Sequence, residues 1–462
     1  MSAALLAHGE LAGLNEIRDV GRDARRGGYS RHVWQPADLE LRAWFVARAG
    51  AAGLDVETDR NGNLWAWWGA PGPDAVVTGS HLDSVPGGGA FDGPLGVVSA
   101  LEAIGRLRAS GFRPSRPCAV VVFAEEEGSR FGVACLGSRL MTGQLDADRA
   151  RALVDAEGVS LAEAARGAGL DPSGFGVDRE ALGRIGLFIE LHVEQGRGLI
   201  DLGQPLALAS SILAHGRWRL TFRGEGNHAG ATPMQGRRDP MAAAGRAIVA
   251  VERAALAAGA GAGAGGGGAG AAAGMGAGAG GGVGAEPRAT VGRIEVVPGG
   301  TNVIASTVTA WLDARATTED EVRQLVARIS DELGLDAGAD EGHDLRSRGD
   351  ARRDADRNAG RDVRRVASHV GAVTAAIAEE SWADAVTFDR VLSGELSAVL
   401  GGVPVLASGA GHDAGVLAPV VPSAMLFVRN PTGISHAADE FAEADDCVAG
   451  VEALETLLRS LL

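Results

Sequence analysis

In the stretch "GSHLDSVPGGGAFDGPLGV", Gly79 to Val97, His81, Asp83 and Asp92 share a glycine-rich loop directly after the apolar run "AVVTG". A second run, "CAVVVFA", leads into the acidic trio Glu125, Glu126 and Glu127; "IGLFIELHVEQG" passes through His192; and "SAMLFV" is followed within ten residues by His436. Neutral imidazole and carboxylate are ligands of zinc and similar divalent ions, and catalytic centres leave a coordination position open for water. His81, His192 and His436 with Asp92 and Glu127, and with Asp83 beside them, suit a pair of ions sharing one carboxylate. Taken singly, a histidine is more often a satisfied core or surface residue, the role assigned to His8, His32, His215, His343 and His369. His81, His192 and His436 differ because each follows a buried-strand signal.

The elements that must position these residues are legible around them. Short unbroken Val/Ile/Leu/Phe runs separated by helical patterns predict buried strands of a mainly parallel sheet, and ligand chemistry in such sheets collects at the carboxyl ends of the strands. All four runs end in that chemistry, so their tips should converge. A helix is predicted over "PADLELRAWFVARAGAAG", Pro36 to Gly53, from its apolar spacing and acidic first turn. From Arg217 to about Asp331 the pattern changes to strand ("RWRLTFRGEGNHAG"), helix ("DPMAAAGRAIVAVERAAL"), two strands ("ATVGRIEVV", "STVTAWLDARA") and an amphipathic helix ("EDEVRQLVARISDEL"). That unit can bury one face of its sheet under two helices and reads as a second, α+β domain inserted into the first. The expected division is 1–213 and 333–462 for the first domain and 214–332 for the insert. The Gly/Ala run Ala257 to Ala285 has too little side-chain surface for a core and is expected to be a flexible loop; His343 to Arg365, dense in both charges, is expected to be a solvated linker.

Composition removes several alternatives. The 462 residues suffice for two domains with sizeable cores, and a net charge of -16 without a basic stripe disfavours nucleic acid. All 43 basic residues are arginine. A chain without lysine forms no internal Schiff base, holds no pyridoxal phosphate covalently and lacks the lysine of a phosphate-binding P-loop. Cys118, Cys135 and Cys447 have no CxxC spacing, so neither a disulfide framework nor a thiolate zinc site is expected, and the cytoplasm is the simplest compartment. The first residues lack a charged leader, and no segment reads as a membrane helix.

The motifs "GSHLDSV", "GGAFDGPLGV", "AEEEGSRF", "ELHVEQG", "NHAGATPM", "SGAGHDA" and "GISH" occur here in the order found in metal-dependent hydrolases of carbamoyl and ureido groups. The chain resembles that family, which embraces allantoate amidohydrolases, N-carbamoyl-L-amino-acid hydrolases and β-ureidopropionases and is related to dinuclear zinc exopeptidases. The likeness runs from about Gly27 to Glu440. It implies a zinc-exopeptidase-like α/β catalytic domain with an inserted lid and dimerisation domain, and two divalent ions per subunit, Zn2+ or Mn2+ with Co2+ also accepted. Asp92 would bridge them, His81 and His192 completing one ion and Glu127 and His436 the other. Asp83 would fix the tautomer of His81. Glu126 would be the general base, pointing away from its neighbour Glu127 as adjacent strand residues do. His228 would donate a hydrogen bond to the oxyanion, commonly from the partner of a homodimer, a contribution of ~3 kcal/mol in such sites. Asn302 and Arg315 would hold the substrate carboxylate, for which a guanidinium fork is suited, with Gln195 and His412 as further contacts.

The resemblance implies hydrolysis of a linear ureido C–N bond in a small anionic substrate, releasing ammonia and carbon dioxide. "AEEEGSRF" and "AMLFVRNPTGISH" look more like the allantoate branch; the alternative within enzymes is an N-carbamoyl-L-amino-acid hydrolase or β-ureidopropionase. Outside catalysis, the alternative is an inactive dimeric scaffold of the same fold, against which the complete ligand set and Glu126 speak.

Overall fold

The computed structural model describes residues 11–264, 286–335, 366–370 and 373–462. The chain divides into two compact units, one gathering the residues up to Ile212 and from Val386 onward, the other lying between Leu213 and Ala385.

The first unit is built on a nine-stranded sheet. Its centre is four parallel neighbours in the order Cys118–Phe123, Ala75–His81, Ile185–Val193 and Ser423–Val428. These are the four predicted runs. Antiparallel strands flank them: Leu64–Trp68 and Asp55–Thr58 on one side, Leu206–Ile212 and Val386–Thr387 on the other, with Val405–Ser408 pairing parallel to Leu206–Ile212. The central runs are buried at nearly every position because both faces are covered. Along Cys118–Phe123, Cys118, Val120 and Val122 pack into one core with Ile104, Leu191 and Leu454, while Ala119, Val121 and Phe123 pack into another with Phe188, Met425 and Phe427. The first core is roofed by the helices Pro36–Ala51, Pro94–Ala109 and Ala444–Leu461.

The second unit holds a five-stranded antiparallel sheet in the order Val366–Val370, Val373–Ala383, Ala214–Arg223, Thr307–Ala316 and Arg288–Val297. One face alternates into a core of Trp218, Leu220, Phe222, Val308 and Leu312, covered by Val251 of the helix Pro240–Ala264 and by Val322 and Ile329 of the helix Glu319–Glu332. The latter helix opens on a reciprocal capping box between Thr318 and Glu321.

Two expectations are corrected. The insert was expected to end at residue 332, but Val373–Ala383 pairs with the strand Ala214–Arg223 from His215 to Arg223, so the second unit continues to Ala385. Its core face is Val373, Ala375 and Ile377, an alanine-diluted alternation that carries little hydrophobic signal. The helix after Pro240 extends into the Gly/Ala run as far as Ala264, as alanine's helix propensity allows. The rest of that run, and all of His343 to Arg365, lie outside the described residues. No described helix is long and apolar enough to cross a membrane.

Candidate metal centre

His81 is the last residue of its strand, and the loop that follows carries Asp92 to the start of the helix Pro94–Ala109. Gly93 makes that turn with φ at +82°, and a Cβ there would lie 2.5 Å from the imidazole of His81. His192 comes from the neighbouring strand, one residue before its end. In both histidines Nδ1 faces a backbone carbonyl, that of Asp83 at 3.1 Å and that of Val193 at 2.8 Å. A carbonyl only accepts, so Nδ1 of each ring carries a proton, and the neutral ring presents the lone pair of Nε2.

Both lone pairs point at one oxygen. Nε2 of His81 lies 3.4 Å and Nε2 of His192 3.2 Å from Oδ1 of Asp92. Both nitrogens are buried without a hydrogen-bond partner. Two acceptors aimed at a carboxylate oxygen inside a protein are unfavourable unless a cation lies among them, so the donor set fits a metal ion on this side of Asp92. The other oxygen, Oδ2, faces a second set: Nε2 of His436 is 3.5 Å from it and 3.4 Å from Oε2 of Glu127. His81, Asp92 and His192 thus form one group with ligand spacing and Asp92, Glu127 and His436 another.

The electrostatics carry the same imprint. Burial disfavours a charged imidazole, yet the Asp92 and Glu190 carboxylates push His192 up to about 9, and Glu126, Asp83 and Asp92 raise His81 as well. Burial, Asp92 and Glu126 together hold Glu127 well above the usual carboxylate range. Burial, opposed by His81 and reinforced by Asp83 and Asp92, pushes Glu126 up to about 7. Crowded buried carboxylates of this kind call for positive charge.

Glu126 and Glu127 hang from a constrained turn. The carboxylate of Asp83 accepts the amide N–H groups of Glu126 and Glu127, both at 3.1 Å, and sits 3.5 Å from Nδ1 of His81. The tautomer of His81 is therefore set by the Asp83 carbonyl, while its carboxylate orients the two glutamates. Cys135 grips Glu126 twice, its amide donating to the Glu126 carbonyl and its thiol lying 3.3 Å from Oε1. Glu125, Cys135 and His436 adopt left-handed φ near +55°, three of the four non-glycine residues that do so among those described. Strain of this kind concentrates at functional sites.

The model of peptidase family M20/M25/M40 matches residues 77–460, from the strand of His81 to the last helix. The chain belongs to the M20/M25/M40 peptidase family. Relatives within it include an N-carbamoyl-L-amino acid amidohydrolase of Geobacillus stearothermophilus, 34% identical over 96% of this chain and 95% of its own length. An allantoate amidohydrolase of Escherichia coli strain K12 is 31% identical over 94% of this chain and 93% of its own. Among solved structures, an amidase of the hydantoinase/carbamoylase family from Burkholderia vietnamiensis matches with a TM-score of 0.76 and 27% identity, covering 98% of both chains.

Of the remaining expected residues of this M20 chain, Gln195 donates from Nε2 to Oδ2 of Asp92 at 2.6 Å. His412 is buried with its ring 4.5 Å from that of His192 and its Nε2 3.2 Å from the hydroxyl of Ser408; burial and then His192 hold its pKa well below the ordinary value. His228, Asn302 and Arg315 belong to the second unit. Nδ1 of His228 accepts the N–H groups of Gly230 at 3.2 Å and Ala231 at 3.1 Å, which leaves its proton on Nε2. Arg237 closes the same loop on the carbonyls of Ala229, Thr232 and Pro233. The carbonyl of Asn302 accepts the amide of Ala229 at 2.8 Å, and Arg315 forks onto Asp313 from Nε at 2.7 Å and a terminal nitrogen at 3.1 Å.

Sequence reasoning missed Cys135, Glu190 and Glu440. Glu190 is buried, accepting the hydroxyl of Ser80 at 2.7 Å and the amide of Ala414 at 2.9 Å. It lay within the quoted "IELHVEQG", where a charge inside an apolar run was its only signal.

Proposed function

We propose that this chain is a dinuclear metal amidohydrolase of linear ureido C–N bonds in small anionic substrates, with allantoate as the favoured one. The observation that carries the proposal is the convergence of two unpartnered imidazole nitrogens on one oxygen of Asp92 while the second oxygen faces His436. His81, Asp92 and His192 would hold one ion and Asp92, Glu127 and His436 the other. Zinc, manganese and cobalt all suit such a donor set. When bound, the ions would polarise the ureido carbonyl as Lewis acids and acidify the attacking water.

The protein's own residues do the rest. Glu126, its carboxyl steadied by the Cys135 thiol and its amide by Asp83, takes the proton of the water as oxygen adds to the ureido carbon. It returns that proton to the departing nitrogen as the C–N bond breaks. Ammonia leaves, and the remaining carbamate loses carbon dioxide. His228, with its proton on Nε2, is the donor for the oxyanion. Gln195, His412, Asn302 and Arg315 are assigned to the substrate, whose carboxylate suits a guanidinium.

The likeness of "AEEEGSRF" and "AMLFVRNPTGISH" to the allantoate branch favours that substrate; the 34% identity to an N-carbamoyl-L-amino acid amidohydrolase favours the second reading. A few pocket contacts decide between such substrates. Purified protein supplied with Mn2+ should release ammonia from allantoate faster than from N-carbamoyl-L-amino acids, and a chelator should abolish the release. The reverse ranking selects the second reading. Loaded protein that liberates ammonia from no ureido acid refutes the function.

A further inference from the structure

His436 is the outlier among the proposed ligands. Its side chain is 51% exposed, whereas those of His81 and His192 are fully buried, and it stands on a loop rather than on a strand. Something must hold that loop against Asp92. Four residues after His436, Glu440 turns inward and is only 4% exposed. One oxygen, Oε1, accepts the amide N–H of Phe91 at 3.1 Å and that of Asp92 at 2.9 Å. The Asp92 loop lies on this carboxylate without slack, since a Cβ on Gly89 would come within 2.1 Å of the same oxygen. The hydroxyl of Ser435, next to His436, lies 3.5 Å from both Oδ2 of Asp92 and Oε2 of Glu440.

We propose that Glu440 is a positioning residue of the metal centre, fixing the peptide that carries the shared ligand Asp92 and, through its own loop, the ligand His436. A side-chain oxygen that accepts two successive amides fixes that peptide's orientation and so sets the direction in which Asp92 leaves the backbone. Because Asp92 serves both ions, a small rotation of that peptide misplaces an oxygen for each. Glu440 touches no ion itself. The inference rests on the dinuclear reading given above, and its test separates the two.

Apo protein made with a chelator is titrated with Mn2+ alone in a calorimeter, for the wild type and for Glu440→Ala and Glu440→Gln. The wild type should take two equivalents. Loss of a residue that orients a ligand characteristically weakens metal binding about 10- to 100-fold, and Glu440→Ala should do so for at least one ion. Glu440→Gln keeps a side-chain oxygen that accepts the same two N–H groups and should bind close to the wild type. That rescue distinguishes positioning through hydrogen bonds from a general effect of negative charge near the ions. Should the alanine variant not fold, Glu440→Asp, one methylene short of both amides, is expected to lose affinity in the same direction. Two ions bound with wild-type affinity by the alanine or the aspartate variant overturns the proposal, as does a glutamine variant as impaired as alanine. A wild type that takes fewer than two ions overturns the dinuclear reading and the role of Glu440 with it.

Discussion

At the scale of single residues, the proposed centre would divide its acids between holding charge and moving protons. Glu127 and Glu126 are adjacent, yet only Glu127 faces His436; Glu126 instead lies 3.7 Å from His81 and receives the Cys135 thiol. Glu126→Gln should therefore leave the metal content unchanged while lowering kcat about 10²- to 10⁴-fold, the range a general base contributes. Metal analysis alongside ammonia release checks both halves, and a variant that keeps full activity removes Glu126 from the reaction. In the proposed reaction His228 would have a different task. With Nδ1 occupied by two backbone amides, it offers one well-defined donor, so His228→Ala should lower kcat by ~10²- to 10³-fold. Its KM should change little, because the donor acts on charge that develops only in the transition state.

At the scale of elements, the helix Pro36–Ala51 carries a titrating group of its own. Asp38, in its first turn, is buried and accepts the amide of Trp34 at 2.8 Å. Burial pushes its pKa up to about 6, against the pull of Arg42 and the Trp34 amide; Asp83 adds to the rise and Arg130 opposes it. A carboxyl raised in the folded state binds its proton more tightly there than in the unfolded chain. Stability is therefore retained below about pH 4 and lost as pH climbs through 6, by about 3 kcal/mol in full. Denaturant melts of chelated protein should show Asp38→Asn gaining on the wild type across that window and running parallel to it above; a constant difference from pH 4 to 7 refutes the assignment. Elements of this unit were largely legible in the sequence. The four central strands announce themselves because burial on both faces favours long Val/Ile/Leu/Phe runs, and their tips carry the candidate ligands. The strands Leu206–Ile212 and Val373–Ala383 escaped notice, since alanine and serine dilute their hydrophobic signal, and pairing with distant partners supplied what local sequence lacks. Glu440 escaped for a related reason. A carboxylate whose task is to accept amides 348 residues away leaves no local pattern.

At the scale of the whole molecule, the second unit presents, among the described residues, a strand with one open edge. Arg288–Val297 ends the five-stranded sheet, with Ile294 and Val297 exposed, and the helix Pro240–Ala264 exposes Ile248, Val249 and Leu256. An exposed edge strand beside an apolar helix face is an aggregation liability unless it is covered, and a second copy of the same unit would cover it symmetrically. The protein should therefore sediment as a dimer, and Ile294→Arg combined with Val297→Arg should yield monomers. Dimerisation gives the position of His228 a decisive test. Glu126→Gln and His228→Ala, each inactive alone, are mixed and allowed to exchange subunits. If His228 serves the partner's centre, a mixed dimer has one intact site, and random exchange should recover about a quarter of wild-type activity. If His228 serves its own centre, every site in the mixture lacks one residue and no activity returns. Monomers made by the arginine substitutions separate the cases again, since an enzyme that borrows His228 falls in kcat on dissociation to the level of His228→Ala, whereas one that uses its own does not.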